Sequence, residues 1–152
     1  MSTIMETNLA LRTFENIHSL LHLYRSQLHN AMKSMNKDLS HMECKVLAYI
    51  AHNEGASQTD LVVFMQRDKA QLNRIIKILK EQDLLSEEKD PKDKRRSCLS
   101  VTEEGLTVFK MLSATRQQIC DNLIVGLTVE ELDTLDVLMN KLKTNLEKEH
   151  AS

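Results

Sequence analysis

Apolar side chains recur along the chain with the spacing of helices. Within residues 14–35 they alternate at steps of three and four, the spacing of a helical seam: Phe14, Ile17, Leu21, Tyr24, Leu28, Ala31 and Met35. Residues 102–126 and 128–146 are also amphipathic. The sequence therefore predicts long helices at both ends, flanking a compact middle of about residues 40–102. The stripe of the first helix suits packing within its own chain and packing on a second subunit equally well.

The compact middle is predicted to fold as a helix, a turn, a helix and a β-hairpin. Helix starts are marked where Ser, Thr or Asp precedes an acid or amide by three residues: Ser40 with Glu43, Ser57 with Asp60, Asp68 with Gln71, and Thr128 with Glu131. We expect helices over residues 57–65 and 69–82 with a turn at 66–68, the length pattern of a helix-turn-helix. Two short strands are expected at residues 84–89 and 97–101.

The second helix of this motif has one apolar face and one polar face. Its apolar residues recur at i, i+3, i+4 and i+7: Leu72, Ile75, Ile76 and Leu79. The rest of the helix offers a small residue together with cationic and amide side chains: Lys69, Ala70, Gln71, Asn73, Arg74 and Lys77. Arg, Gln and Asn read base edges in the DNA major groove through paired hydrogen bonds. This face therefore favours nucleic acid over a protein partner.

Composition narrows the class of protein. Only three glycines and one proline occur in 152 residues, and aromatic residues make up 3%, which argues for long helices and an aliphatic core. No stretch resembles a membrane span or a secretory signal. Three widely spaced cysteines, Cys44, Cys98 and Cys120, indicate reduced thiols and a cytoplasmic location. No catalytic motif stands out, so we expect neither an enzyme nor a cofactor.

Positive charge is concentrated in one fifth of the chain. Residues 66–96 carry ten Lys and Arg against seven acids, whereas the whole chain has a net charge of −2. The turn between the two strands is the richest part, with Lys92, Asp93, Lys94, Arg95 and Arg96. An arginine at the tip of a projecting hairpin is suited to the narrow minor groove. An aspartate two residues before it is placed to hold the guanidinium group through a charge-assisted bond.

Several segments together resemble the MarR family of winged-helix transcriptional regulators. They are the run of residues 70–79, the Asp83-Leu84-Leu85 step, the Asp93-x-Arg95-Arg96 wing pattern, and the Leu99-x-x-Thr102-x-x-Gly105 segment. The residues around Ser40 and Glu43 also resemble the start of the second helix of that family. The chain departs from the family at Asp83, where members usually carry glycine. It also departs at Ser86, Glu87 and Glu88, where members usually carry Glu-Arg or Arg-Arg within the first wing strand.

The resemblance implies a mainly α fold with a small β-hairpin wing. Residues 39–102 would form a winged helix-turn-helix DNA-binding lobe, and residues 1–38 and 103–152 would form long dimerisation helices, all within one connected fold. The protein would bind a pseudo-palindromic operator as a homodimer. By position, Arg74 would contact bases, Arg95 would enter the minor groove, and Asp93 would orient it. Backbone phosphates would be bound at Ser57, Gln58 and Thr59.

The resemblance also implies control by a small-molecule effector. Such a molecule would bind where the terminal helices meet the DNA-binding lobe, and the expected lining residues are His18, His22, Tyr24 and Arg25. His18 and His22 lie four residues apart, but no third ligand has a matching local spacing, so we expect no metal site. The alternatives are a winged-helix module that binds an acidic protein instead of DNA, and a regulator that responds to a metal or, through Cys98, to oxidation.

Overall fold

The computed structural model describes residues 2–149, with side chains for residues 6–148. Six helices and one antiparallel hairpin follow in order: α1 Ser2–Ser34, α2 His41–His52, α3 Gln58–Met65, α4 Lys69–Glu81, β1 Leu85–Lys89, β2 Ser97–Val101, α5 Glu103–Leu123 and α6 Val129–Glu149. The predicted fold class is confirmed. By compactness the chain divides between Arg116 and Gln117 into two units. The domain boundaries given above and the single connected fold stay predictions.

The predicted helix starts are confirmed because they depend only on nearby residues. Ser40 accepts from the Glu43 amide at 3.3 Å, and the Glu43 carboxylate accepts from the Ser40 amide at 2.8 Å. The same reciprocal bonds start α3 and α6. Asp68 starts α4 by accepting from the Gln71 amide at 2.9 Å. Each cap satisfies backbone N–H groups that have no partner inside the helix.

The core of the first unit is aliphatic, as the composition predicts. Its fully buried side chains come from α2, α3, α4, β2 and α5 and from the loops that precede α2 and β1: Leu39, Val46, Leu47, Ile50, Leu61, Leu72, Leu79, Leu84, Leu99 and Val108. Helix α4 buries Leu72, Ile76 and Leu79, whereas Ile75 is half-buried at the edge of its apolar face. The polar side of α4 is thereby fixed toward solvent.

The wing is joined to the lobe at its base. Register pairs Leu85 with Val101 and Lys89 with Ser97, so β1 begins one residue later than predicted. Strand β2 also bonds to the loop before α3: the Leu99 amide donates to the Ala56 carbonyl at 2.9 Å, and the Gly55 amide donates to the Leu99 carbonyl at 3.0 Å. An isolated antiparallel bridge between Ala56 and Leu99 therefore attaches the two-stranded hairpin to the rest of the lobe.

The turn between α4 and β1 keeps its geometry without glycine. Asp83 adopts a left-handed backbone, with φ of +59°, a conformation that aspartate tolerates better than most residues. Its carbonyl accepts from the Thr102 hydroxyl at 2.6 Å. Opposite this turn, Gly105 lies so close to the chain that a Cβ atom there would be 2.1 Å from the Leu84 carbonyl oxygen. The start of α5 thus packs directly on the start of β1.

Among residues 2–149, every helix is too short or too polar to span a lipid bilayer.

Candidate nucleic-acid interface

The predicted recognition residues of α4 are exposed. Lys69, Ala70, Gln71, Asn73, Arg74 and Lys77 all face solvent. Asn73 also bonds to α3, because its amide oxygen accepts a hydrogen bond from the Gln58 side chain. Arg74 forms no ion pair with the described residues. The exposed face is therefore free to meet a ligand along most of its length.

The start of α3 is more committed to the fold than its sequence suggests. Ser57 is only 5% exposed, and its hydroxyl donates to the Asp60 carboxylate at 2.7 Å while accepting from the Asp60 amide. Gln58 is half-buried and bonds to Asn73, whereas Thr59 is exposed. Of the three residues expected at the DNA backbone, the structure gives Ser57 a capping role and leaves Thr59 the most accessible.

The acids of the wing tip shape its backbone. Asp90 accepts from the Lys92 amide at 2.8 Å, and Asp93 accepts from the Arg95 amide at 3.0 Å. The expected bond between the Asp93 carboxylate and the Arg95 guanidinium is not the one formed, because the Asp93 oxygen caps the turn instead. The Arg95 side chain is exposed, and no carboxylate of the described residues lies within 4.0 Å of it.

Arg96 serves a different purpose from its neighbour. Its guanidinium donates to the Asp60 carboxylate at 3.0 Å, across 36 positions of sequence. The same Asp60 oxygen accepts from the Ser57 amide and hydroxyl, each at 2.7 Å. The Ser57 bonds, followed by Arg96, hold the pKa of Asp60 below its ordinary value. The carboxylate that caps α3 therefore also fastens the wing, a role that nothing in the local sequence indicates.

Three parts of the predicted site line one cleft of about 320 Å³. The start of α3, the start of α4 and the wing all contribute: Ser57, Gln58, Thr59, Val62, Lys69, Glu87, Arg95, Arg96 and Ser97. A neighbouring cleft of about 440 Å³ continues along α4 and shares Gln58 and Glu87 with the first. Residues far apart in sequence are thus brought to one polar surface.

Charge on this surface falls into two groups. Three cations are paired with acids: Lys77 with Glu81 at 3.7 Å, Lys80 with Glu87 at 2.5 Å, and Arg96 with Asp60 at 3.0 Å. Seven exposed cations of residues 66–96 have no carboxylate within 4.0 Å among the described residues: Arg67, Lys69, Arg74, Lys89, Lys92, Lys94 and Arg95. Most of this second group lies on α4 or at the wing tip.

A separate cavity of about 210 Å³ lies between α1 and the start of α2. It is lined by Arg25, Leu28, His29, Met32, Leu39, Ser40, His41 and Cys44. Arg25 is the one residue of the expected effector site that lines it. His22 and His18 lie on the same face of α1, one and two turns before Arg25, and neither they nor Tyr24 line the cavity. Burial, followed by Arg25 and Lys45, holds the pKa of His41 below its ordinary value.

The thiols and histidines form no metal cluster within the described chain, where no three His, Cys, Asp or Glu side chains come together in a suitable way. Burial raises the pKa of Cys44 to about 11, and its thiol donates to the Met32 sulfur at 3.4 Å. The Cys98 thiol donates to the Asp90 carboxylate at 3.9 Å. Cys98, the residue of the oxidation-responsive alternative, thus contacts an acid.

Comparison with known proteins gives a family match for the DNA-binding lobe and the same fold for most of the chain. Residues 37–96 match the model of the MarR family. The HTH-type transcriptional regulator YybA of Bacillus subtilis is 27% identical over 112 residues, which are 74% of this chain and 75% of that protein. Streptococcus pneumoniae FabT in complex with DNA superposes with a TM-score of 0.81 at 16% identity, covering 91% of this chain and 98% of FabT.

A second solved structure supports the same fold. A MarR variant from E. coli complexed with operator DNA gives a TM-score of 0.71 at 21% identity, covering 89% of this chain and 96% of that one. The curated relatives are described as transcriptional regulators. Residues 37–96 therefore match the MarR family, and the fold of the chain is that of the MarR-type winged-helix proteins on which it superposes.

Proposed function

We propose that the protein is a sequence-specific transcriptional regulator that binds double-stranded DNA. The observation that carries this proposal is the shared cleft, in which Thr59 of α3, Lys69 of α4 and Arg95 of the wing line one surface. Helix α4 would enter the major groove, where Arg74 and Gln71 would contact base edges. Arg95 would reach the adjacent minor groove, and Lys92 and Lys94 would neutralise phosphates. FabT and the E. coli MarR variant, both solved with DNA, support this role for the shared fold.

The proposal includes a homodimer. In the first unit, α1 exposes large apolar side chains that are 41–59% accessible: Leu9, Leu11, Phe14, Leu20 and Leu23 lie in this range. In the second unit, α6 exposes Leu135, Val137, Leu138 and Leu146 at 52–63%. Exposed apolar rows of this kind mark protein interfaces in soluble proteins. A second copy of the chain would cover them, and two lobes would then meet successive major grooves of a pseudo-palindrome.

A small-molecule effector would act through the cavity between α1 and α2. Leu28, Met32 and Leu39 provide apolar walls, and Arg25 offers a positive charge to an anionic group. The cavity joins a proposed dimerisation helix to the first helix of the DNA-binding lobe. A ligand there would change DNA affinity by favouring one arrangement of these helices over another. A cytoplasmic location belongs to the same proposal, because the operator DNA is there.

Selection of bound fragments from random duplex DNA tests the proposal. We expect enrichment of a pseudo-palindrome with half-sites about one helical turn apart, and sedimentation equilibrium at twice the 17.5 kDa chain mass. Fluorescence anisotropy should then give at least about a thousandfold preference for the selected site over random DNA. A protein that binds neither DNA would instead be a winged-helix module for an acidic protein partner.

A further inference from the structure

An acidic residue lies within the surface that the proposed function assigns to DNA. Glu87, on β1, lines both clefts along α4, next to Gln58 in each. Its carboxylate is 2.5 Å from the Lys80 ammonium group, and both side chains are partly exposed, at 34% and 41%. Lys80, followed by the other polar neighbours, holds the pKa of Glu87 below its ordinary value. The Glu87 carboxylate is therefore charged at neutral pH.

Lys80 would otherwise extend the cationic edge of α4. Lys69, Asn73 and Lys80 are spaced at i, i+4 and i+11, so they share one side of the helix. Asn73 and Lys80 line the same cleft. A phosphate that approaches this edge meets one cation already bound by a carboxylate, and that carboxylate also repels it.

The other ion pair of α4 is weaker. Lys77 and Glu81 lie 3.7 Å apart with side chains 76% and 62% exposed, so water competes strongly for both. The contact of Lys80 and Glu87 is shorter, less exposed and joins two different elements. Lys80 is therefore less available to a phosphate than Lys77 is.

We propose that Glu87 withholds Lys80 from the DNA and thereby lowers the affinity of the protein for DNA of unrelated sequence. This inference rests on the proposed function. Non-specific affinity comes from the cations that neutralise phosphates, whereas sequence preference comes from contacts to base edges. When Glu87 neutralises Lys80, the non-specific affinity falls, whereas the contacts to base edges are unchanged. The ratio of specific to non-specific binding then increases.

The test compares E87Q with E88Q in the full-length protein. Both variants remove one negative charge from β1, but side chains alternate along a strand, so Glu88 points to the opposite face and lines neither cleft. Fluorescence anisotropy is measured with random-sequence duplex DNA between 50 and 200 mM salt. We expect E87Q to bind about three- to tenfold more tightly at 50 mM salt than E88Q, with a salt slope steeper by about 0.9.

Two further variants isolate the part played by Lys80. K80Q alone should bind random DNA more weakly than the wild type and with a shallower salt slope, because it leaves the Glu87 carboxylate unpaired beside the phosphates. E87Q/K80Q should lose the gain of E87Q. Equal salt slopes for E87Q and E88Q would overturn the inference, as would a gain that survives in E87Q/K80Q. If the wild type binds no duplex DNA at 50 mM salt, the proposed function itself fails.

Discussion

Replacing Gly105 with alanine tests the contact between the start of α5 and the wing. The new Cβ atom would lie 2.1 Å from the Leu84 carbonyl oxygen and 2.8 Å from a methyl group of Val101. The carbonyl would have to retreat by about 0.9 Å to reach even 3.0 Å, the limit that real Cβ contacts respect. It cannot move freely, because it accepts a hydrogen bond from the Thr102 amide at 3.1 Å.

The expected cost follows from these two contacts. Overpacking costs about 1–3 kcal/mol, and weakening the Thr102 bond costs about 1 kcal/mol. The higher helix propensity of alanine offsets up to about 1 kcal/mol. The net loss of about 2 kcal/mol should lower the unfolding temperature by about 4–8 °C for a chain of this length.

Urea unfolding followed by circular dichroism measures this loss. Gly55→Ala is the control, because Gly55 also has a special backbone, with φ of +79°, but no atom lies within 4 Å of the position that its new Cβ would take. It should lose only the cost of a side chain at positive φ, about 1 kcal/mol. If Gly105→Ala is as stable as the wild type, the helix propensity alone decides at this position and the close packing argument is wrong.

Four other predictions concern single side chains. Arg95→Ala should weaken operator binding and reduce the salt slope by about 1; an unchanged slope would remove the wing from the interface. Arg74→Ala should relax base preference at one position per half-site by roughly 1–3 kcal/mol, measured by competition among operator variants, whereas equal weakening for all sequences would indicate a phosphate contact. The lowered pKa of His41 means that the unfolded chain binds more protons below pH 6.5. Stability should therefore fall as pH drops from 7 through the folded pKa, and His41→Gln should reduce this loss in thermal unfolding. The pKa of Cys44, raised from 9.0 to about 11, should slow its alkylation at pH 8 about a hundredfold relative to the urea-unfolded chain; equal rates in mass spectrometry would show that the thiol is not buried.

The parts of the fold that depend on neighbours in sequence were predictable. The caps at Ser40, Ser57 and Asp68 join residues three apart, so the pattern of residue types is enough to identify them. The polar face of α4 follows from helical periodicity once its apolar residues are known. The hairpin strands end where predicted because the turn around Pro91 leaves few other pairings.

The parts that depend on distant residues were not predictable. Arg96 and Arg95 are adjacent and chemically identical, yet one bonds to Asp60 and the other is exposed, since only the fold brings α3 beside the wing. Asp93 shows that even a local pattern can leave two partners open: the sequence does not rank the amide of Arg95 against its guanidinium group, and the structure selects the amide. The sequence does not indicate that His41 lines the same cavity as Arg25, because the two residues lie on different helices.

The attachment of β2 to the loop before α3 has an evolutionary consequence. The backbone of Leu99 bonds to Gly55 and Ala56 and its side chain is buried, so the base of the hairpin is part of the core. Residues 91–95 are exposed and lie outside the core. Mutations in that short stretch can accumulate with little effect on folding. The contacts of the wing with the minor groove and the phosphates can therefore change independently of the fold, and exchanging those five residues for the matching stretch of a relative should yield a folded chimera.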